Sequence, residues 1–224
     1  VSDILSGFAV LIFGLLSLSW QMSAARWGAA AVGCWLLLAP LVFWAPTAAA
    51  YLNGTLVGSL VIGFALLSRP PPGVSPVAEM TGPEIPPGWE FSPSSWMQRL
   101  PIILLAAVGL VISRYLAAYQ LGHIDAVWDP FFAGALPDAK NGSEEIITSS
   151  VSEAWPVPDA GMGAMTYALE ILTGIMGSSR RWRTMPWLVL LFGMMIAPLG
   201  VVSVTFIIIQ PIVIGTWCTL CLLA

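Results

Sequence analysis

WLVLLFGMMIAPLGVVSVTFIIIQ (Trp187–Gln210) runs 24 residues without a charged side chain. A bilayer core about 30 Å thick is crossed by a helix of about 20 apolar residues, so this stretch is long enough to span one. Inside lipid no water partners the backbone N–H and C=O groups, and a helix satisfies them within the segment. Other runs of this kind cover Ser2–Leu18, Trp27–Trp44, Ala48–Ser68, Leu100–Leu121 and Gly161–Gly177, and a further one starts near Pro211. Composition agrees: 58% of residues are hydrophobic and 9% charged, with mean hydropathy +0.86. Soluble domains carry about a quarter charged residues, so this chain cannot cover a water-facing surface. The expected fold class is all-α, a multi-pass helical membrane protein.

Charge placement orients the runs. Ser178–Pro186 carries Arg180, Arg181 and Arg183, and short arginine-bearing loops stay cytoplasmic. The segment from Gly122 to Ala160 holds Asp125, Asp129, Asp138, Glu144, Glu145, Glu153 and Asp159 against Lys140, and is expected outside. Alternation then puts Arg26 in a cytoplasmic turn. The chain opens at Val1 with a helix under way and ends at Ala224 inside an apolar run. A helix preceding the first run, and completion of the last one, are therefore expected. No basic patch with interleaved aromatics points to nucleic acid.

A proline-rich stretch divides the chain. Pro70, Pro71, Pro72, Pro76, Pro83, Pro86 and Pro87 predict an extended, semi-rigid linker over 69–98. Residues 1–68 would form a three-helix membrane module and 99–224 a four-helix bundle whose last helix is cut short. Within the first module, Leu5-Ser6-Gly7 aligns with Leu56-Val57-Gly58, and Leu15-Leu16-Ser17 with Leu66-Leu67-Ser68. Either a weak duplication or chance similarity between apolar helices accounts for this. Leu38-Ala39-Pro40-Leu41 looks like a degenerate SPW-repeat pattern.

Chemistry concentrates at Trp217-Cys218-Thr219-Leu220-Cys221. Residues three apart share a helix face, and a disulfide needs Cα atoms within about 4.4–6.8 Å. A helix N-terminus also lowers a thiol's pKa. With Pro211 as the outer turn, Cys218 is expected about two turns into the last helix, near the oxidising outer side. The bland reading, a pair of inert buried thiols, stays open. Metal is disfavoured, because two thiolates need further ligands and the only histidine is His123. Cys34 reads as packing.

With these residues in hand, the C-terminal half resembles the vitamin K epoxide reductase family, including its bacterial members. Helix order, the long outer loop and the C-x-x-C opening the fourth helix carry the resemblance. So do Ser152-Glu153-Ala154-Trp155-Pro156-Val157-Pro158-Asp159-Ala160-Gly161-Met162-Gly163, Tyr167 and Pro198-Leu199-Gly200. It covers Trp96 to the chain end. The resemblance implies a membrane thiol–disulfide oxidoreductase passing electrons from protein dithiols through the C-x-x-C to a quinone, ubiquinone or menaquinone. Cys218 and Cys221 would be catalytic, Cys218 exchanging disulfides with a thioredoxin-like protein outside and Cys221 facing the quinone. A bacterial inner membrane is the implied location. One departure stands out: the outer loop has no cysteine, and Ser149, Ser150 or Ser152 stands where one is expected. A non-catalytic membrane scaffold is the competing reading.

Other residues carry paired readings. Glu170 falls mid-membrane, where a lone charge is costly. With Arg114 it would be either a quinone-positioning pair or a structural one. Trp217 would stack on the quinone ring or sit at the membrane interface. His123 to Phe132 would cap the outer mouth of the bundle or form an aromatic belt, with His123 a hydrogen-bonded interface residue.

Overall fold

The computed structural model describes residues 2–19, 22–67, 70–137 and 140–224. Asp138 of the acidic loop, and Ser68 and Arg69 at the module boundary, lie outside them. The described chain is helical throughout its apolar runs, and the protein is an all-α, multi-pass membrane protein.

α1 (Ser2–Ser17), α2 (Ala25–Val42) and α3 (Ala48–Leu66) come first. Thr47 starts α3, its hydroxyl accepting the Ala50 N–H at 3.2 Å; this satisfies one of the free donors of a helix N-terminus. α2 and α3 form an antiparallel pair whose backbones touch. A Cβ on Gly58 would stand 2.7 Å from the Gly33 carbonyl oxygen, so only glycine permits this approach.

The proline-rich stretch, read from sequence as an extended, semi-rigid linker, lies against the arginine loop. It contains a short helix, α4 (Pro76–Met80). Arg183 Nη2 donates to the Ala78 carbonyl at 2.8 Å, Arg180 Nε to Gly82 at 3.1 Å, and Trp182 Nε1 to Glu84 at 2.9 Å. Arg180 also pairs with the Glu84 carboxylate at 3.0 Å. The reason is stoichiometric. Backbone carbonyls outside helices need donors, and the arginine loop supplies more donors than its own backbone can use.

α5 (Trp96–Gln120) leads into the acidic loop, which carries α6 (Gly142–Ile147) and α7 (Ser150–Glu153). α8 (Asp159–Ile175) returns antiparallel to α5. Tyr167 lies on Gly109, Ser113 beside Gly163, and Ile103 against Gly174. Beyond the short α9 (Arg181–Thr184) come α10 (Pro186–Ile209) and α11 (Thr219–Leu223).

Of α10 only Leu188 is buried, and the helix stands across a cavity from α8. Being apolar on every face, α10 is solvated by lipid tails as well as by a neighbouring helix. One expectation changes here: the chain does not turn at Pro211. A π turn over Gln210–Ile214 extends α10, and Gly215, at φ 91°, ends it. The wider turn accommodates a proline that has no N–H to donate.

Leu41, Ala45, Tyr51 and Ala117 bind the two halves at the loop end. Met176, Met185 and Leu188, with Leu66 and Leu67 against them, do so at the other end. At that second end Arg99, 2% exposed, donates from Nη1 to the carbonyls of Gly174, Met176 and Gly177. These are the orphan acceptors of a helix C-terminus.

Candidate functional site

Cys218 and Cys221 are joined as a disulfide with Cα atoms 5.2 Å apart. The motif lies at the helix start itself, not two turns inside. Cys218 is the N-cap of α11, and its sulfur accepts the Cys221 N–H at 3.0 Å.

The two sulfurs face different surroundings. Cys218 is 0% exposed, not the open outer thiol its sequence position suggests. Ser143 Oγ lies 3.3 Å from its sulfur, and Gln210 Oε1 accepts its N–H at 3.0 Å. Cys221 is half-buried and forms part of a cavity wall. The serine beside the motif is thus Ser143. Ser149 and Ser152 lie on the cavity wall instead.

Asp129 fastens the loop over Cys218. Its Oδ1 accepts the N–H of Phe131 and Phe132 at 3.1 Å and the Thr219 hydroxyl. Its Oδ2 accepts Ser143 Oγ at 2.7 Å and the N–H of Ser143 and Thr219, each at 3.1 Å. One carboxylate therefore ties three segments together: its own loop, the start of α6 and the start of α11. Burial pushes the Asp129 carboxyl up. Hydrogen bonds from Thr219, Ser143 and the Phe131 N–H outweigh it and hold the group at about 2. Asp129 thus fastens the loop against the cysteine turn.

Beyond Cys221 lies a cavity of about 620 Å³ between α8 and α10, within the roughly 300–1,000 Å³ of small-molecule sites. Leu116, Met195, Leu199, Val202, Phe206 and Ile207 make most of it apolar, with Gln210, Ser203, Thr166 and Tyr167 as polar points. Asp159 is the single carboxylate on the wall among the described residues. It is held through Oδ1 by Ser152 Oγ at 2.9 Å, by the Ala160 N–H at 2.8 Å and by Gln120.

Three sequence candidates stand elsewhere. Trp217 packs on Phe132 with ring centroids 6.5 Å apart, on the loop side of the disulfide, and is not part of the cavity wall. Arg114 lays its guanidinium over the Tyr51 ring at 4.8 Å. Glu170 and Arg114 are not a pair. Tyr167 lies level with Gly109 and Gly163 with Ser113, which sets Glu170 about two turns, roughly 12 Å, from Arg114 along the helices. No ion pair joins them among the described residues, and neither lines the cavity. His123 Nε2 meets the Ala45 carbonyl at 2.8 Å, an interface role joining the two halves. Asp129, Ser143 and Gln210 are the residues the sequence reading passed over. Gln210 had a signal, as the polar residue that closes a 24-residue apolar run.

A bonded cysteine pair at the rim of an apolar cavity, in an all-helical membrane domain, is an arrangement that fits a membrane thiol–disulfide oxidoreductase. Residues 100–224 match the model of the vitamin K epoxide reductase family. With more than half its length covered, the chain belongs to that family. No curated protein and no solved structure matches it.

Proposed function

We propose that this protein oxidises the dithiol of a thioredoxin-like protein outside the cell membrane and passes the electrons to a quinone in the bilayer. The observation that carries this reading is the division of one disulfide between two environments: Cys221 on a cavity wall, Cys218 under a polar cap. The cavity fits a quinone, being apolar enough for the ring and isoprenoid carbons, with separate polar points for the carbonyls. A quinone supplies the oxidant when bound, taking two electrons and two protons and leaving as quinol.

The residues then divide the work. A partner thiolate attacks Cys218 Sγ, the Cys218–Cys221 bond breaks, and Cys221 leaves as thiolate. The partner's second thiol resolves the mixed disulfide, so the partner leaves oxidised and both cysteines are left reduced. Reoxidation of Cys218 and Cys221 returns the pair to its starting state. Attack on Cys218 requires the cap to lift, since Ser143 and the Asp129 network cover the sulfur. Asp159 is placed on the wall to hold or release a proton as the thiols give theirs up.

Arginines at one end and the acidic loop at the other support a cytoplasmic arginine end, with the cysteines outward in a bacterial inner membrane. In the same reading, residues 1–68 are an SPW-like membrane module, 69–98 a strap and 99–224 the redox domain. Complete burial of Cys218 favours one competitor, a membrane scaffold with an inert disulfide. A thiol count separates the two. The purified protein, reduced and then given quinone, should lose both thiols with one quinol formed per disulfide. If both thiols stay free, the oxidoreductase reading fails and the scaffold reading replaces it.

A further inference from the structure

Gln210 ends α10 just ahead of the cysteine turn, and its side chain is 2% exposed. Its Oε1 accepts the Cys218 N–H at 3.0 Å. A backbone N–H only donates, so the atom facing it must be the amide oxygen, and the orientation of the amide is fixed. The NH₂ group therefore points away from Cys218. Gln210 forms part of the cavity wall together with Cys221, and its Nε2 makes no hydrogen bond among the described residues. The NH₂ is therefore the part of Gln210 left for a ligand in the cavity. The backbone here is a π turn, a local widening that recurs at functional sites.

We propose that the Gln210 amide is the hydrogen-bond donor to a carbonyl oxygen of the quinone bound beside Cys221. This rests on the quinone reading above and names the group that recognises the ring. One side chain then does two things: Oε1 holds the backbone of Cys218, and Nε2 holds the ring. Ring position is thereby tied to the cysteine turn. The donor also faces the oxygen on which negative charge grows as electrons arrive, where a fixed dipole is most effective.

The test uses the whole chain in lipid nanodiscs, wild type beside Gln210→Glu and Gln210→Met. Each protein is reduced and then reoxidised with menadione over a concentration series; Cys218 and Cys221 thiols are counted by alkylation and mass spectrometry. A parallel series uses diamide, which oxidises dithiols without needing a carbonyl-binding pocket. Gln210→Glu keeps an acceptor for the Cys218 N–H but has no NH₂ to offer. Both variants should show a KM for menadione raised about tenfold, the scale of one lost hydrogen bond at about 1.4 kcal/mol per tenfold. For Gln210→Glu, which keeps the acceptor for the Cys218 N–H, the loss with diamide should be smaller than the loss with menadione. A wild-type menadione KM in Gln210→Glu overturns the inference and leaves the quinone reading standing. Equal losses with menadione and diamide also overturn it, because Gln210 would then act only on the cysteine turn. If diamide reoxidises the wild type and menadione does not, the quinone reading fails and this inference falls with it. Should Gln210→Met fail to fold, Gln210→Glu decides alone.

Discussion

The loop side and the cavity side of the disulfide lie a few ångströms apart and differ in nearly every property. On the loop side Cys218 is sealed by Ser143 and by a carboxylate holding three segments together. On the cavity side Cys221 meets an apolar space of about 620 Å³ with a few separated polar groups. Polar groups in the cap are hydrogen-bonded almost to capacity, so opening it breaks several bonds at once. The cavity asks for no such rearrangement. In the proposed reaction, contact with a quinone would need no rearrangement, while contact with a protein partner would be gated.

The strongest way to break this comparison is to remove one sulfur. Cys221→Ser and Cys218→Ser should each abolish turnover with quinone, and they should differ on a non-reducing gel. In Cys221→Ser the free Cys218 thiolate displaces glutathione from a partner whose one remaining cysteine is glutathionylated, and with no second thiol on either protein the mixed disulfide accumulates. Cys218→Ser should trap nothing, because Cys221 faces the cavity. Trapping through Cys221 instead would reverse the two sides.

Asp129 sharpens the comparison from the loop side. Asp129→Ala should leave the Cys218–Cys221 bond intact but raise the labelling rate of the reduced Cys218 by about tenfold or more, as several charge-assisted hydrogen bonds are lost together. The same carboxylate predicts a pH dependence. Its folded pKa, about 2, lies below its ordinary value of 3.8. Its contribution is therefore complete above that ordinary value and lost as pH falls through about 2. Hydrogen exchange of the Ser143 and Thr219 amides should accelerate, relative to neighbouring amides, between about pH 4 and about pH 2. In Asp129→Asn that step should vanish. A step persisting in Asp129→Asn would assign the acid opening to another group.

Ser143→Ala is a smaller perturbation of the same cap. It removes one hydroxyl that touches both Asp129 and the Cys218 sulfur and leaves the other ties in place. Labelling of reduced Cys218 should rise roughly fivefold, the scale of one net hydrogen bond. Ser143→Cys would place a thiol at the same position, and a disulfide from that introduced thiol to Cys218 on peptide mapping would show how near the loop approaches. If Ser143→Ala labels as fast as Asp129→Ala, the cap hangs on that one hydroxyl and the carboxylate hub is secondary.

Much of the architecture was legible in the sequence because lipid imposes a simple rule. Apolar runs of about 20 residues become helices, and the runs ending at Trp44, Leu121 and Gln210 did so within a few residues. The cysteine pair was legible from its spacing. What escaped depended on distance in space. Asp129 reaches Thr219 across 90 positions, and nothing local marks it as a hub. Ser149, Ser150 or Ser152 was expected at the place of a loop cysteine, whereas the serine against Cys218 is Ser143, set there by the capping box of Asn141 and Glu144 that starts α6. The motif's depth was misplaced because Pro211 reads as a helix start, whereas a π turn carries the helix past it. The strap on the arginine loop was hidden because its bonds are made by backbone carbonyls, which every sequence has.

Glu170 should give the smallest effect, and the comparison predicts why. From sequence it is the most conspicuous charge in the membrane, and pairing with Arg114 would give it a part beside the quinone. In the structure Arg114 is engaged with Tyr51 at the loop end, and Glu170 lies about two helical turns deeper, off the cavity wall. Thr173 Oγ1 bonds the backbone carbonyls of Leu169 and Glu170, which fixes the helix there without using the carboxylate. Glu170→Gln keeps the size of the side chain and removes its charge. Its turnover and its KM for menadione should stay within about twofold of wild type, a few tenths of a kcal/mol, while Asp159→Asn on the cavity wall should slow turnover by about tenfold or more. A Glu170→Gln variant slower than Asp159→Asn would move the proton path to the deeper end of α8, and the apolar side would no longer be the simple half of the site.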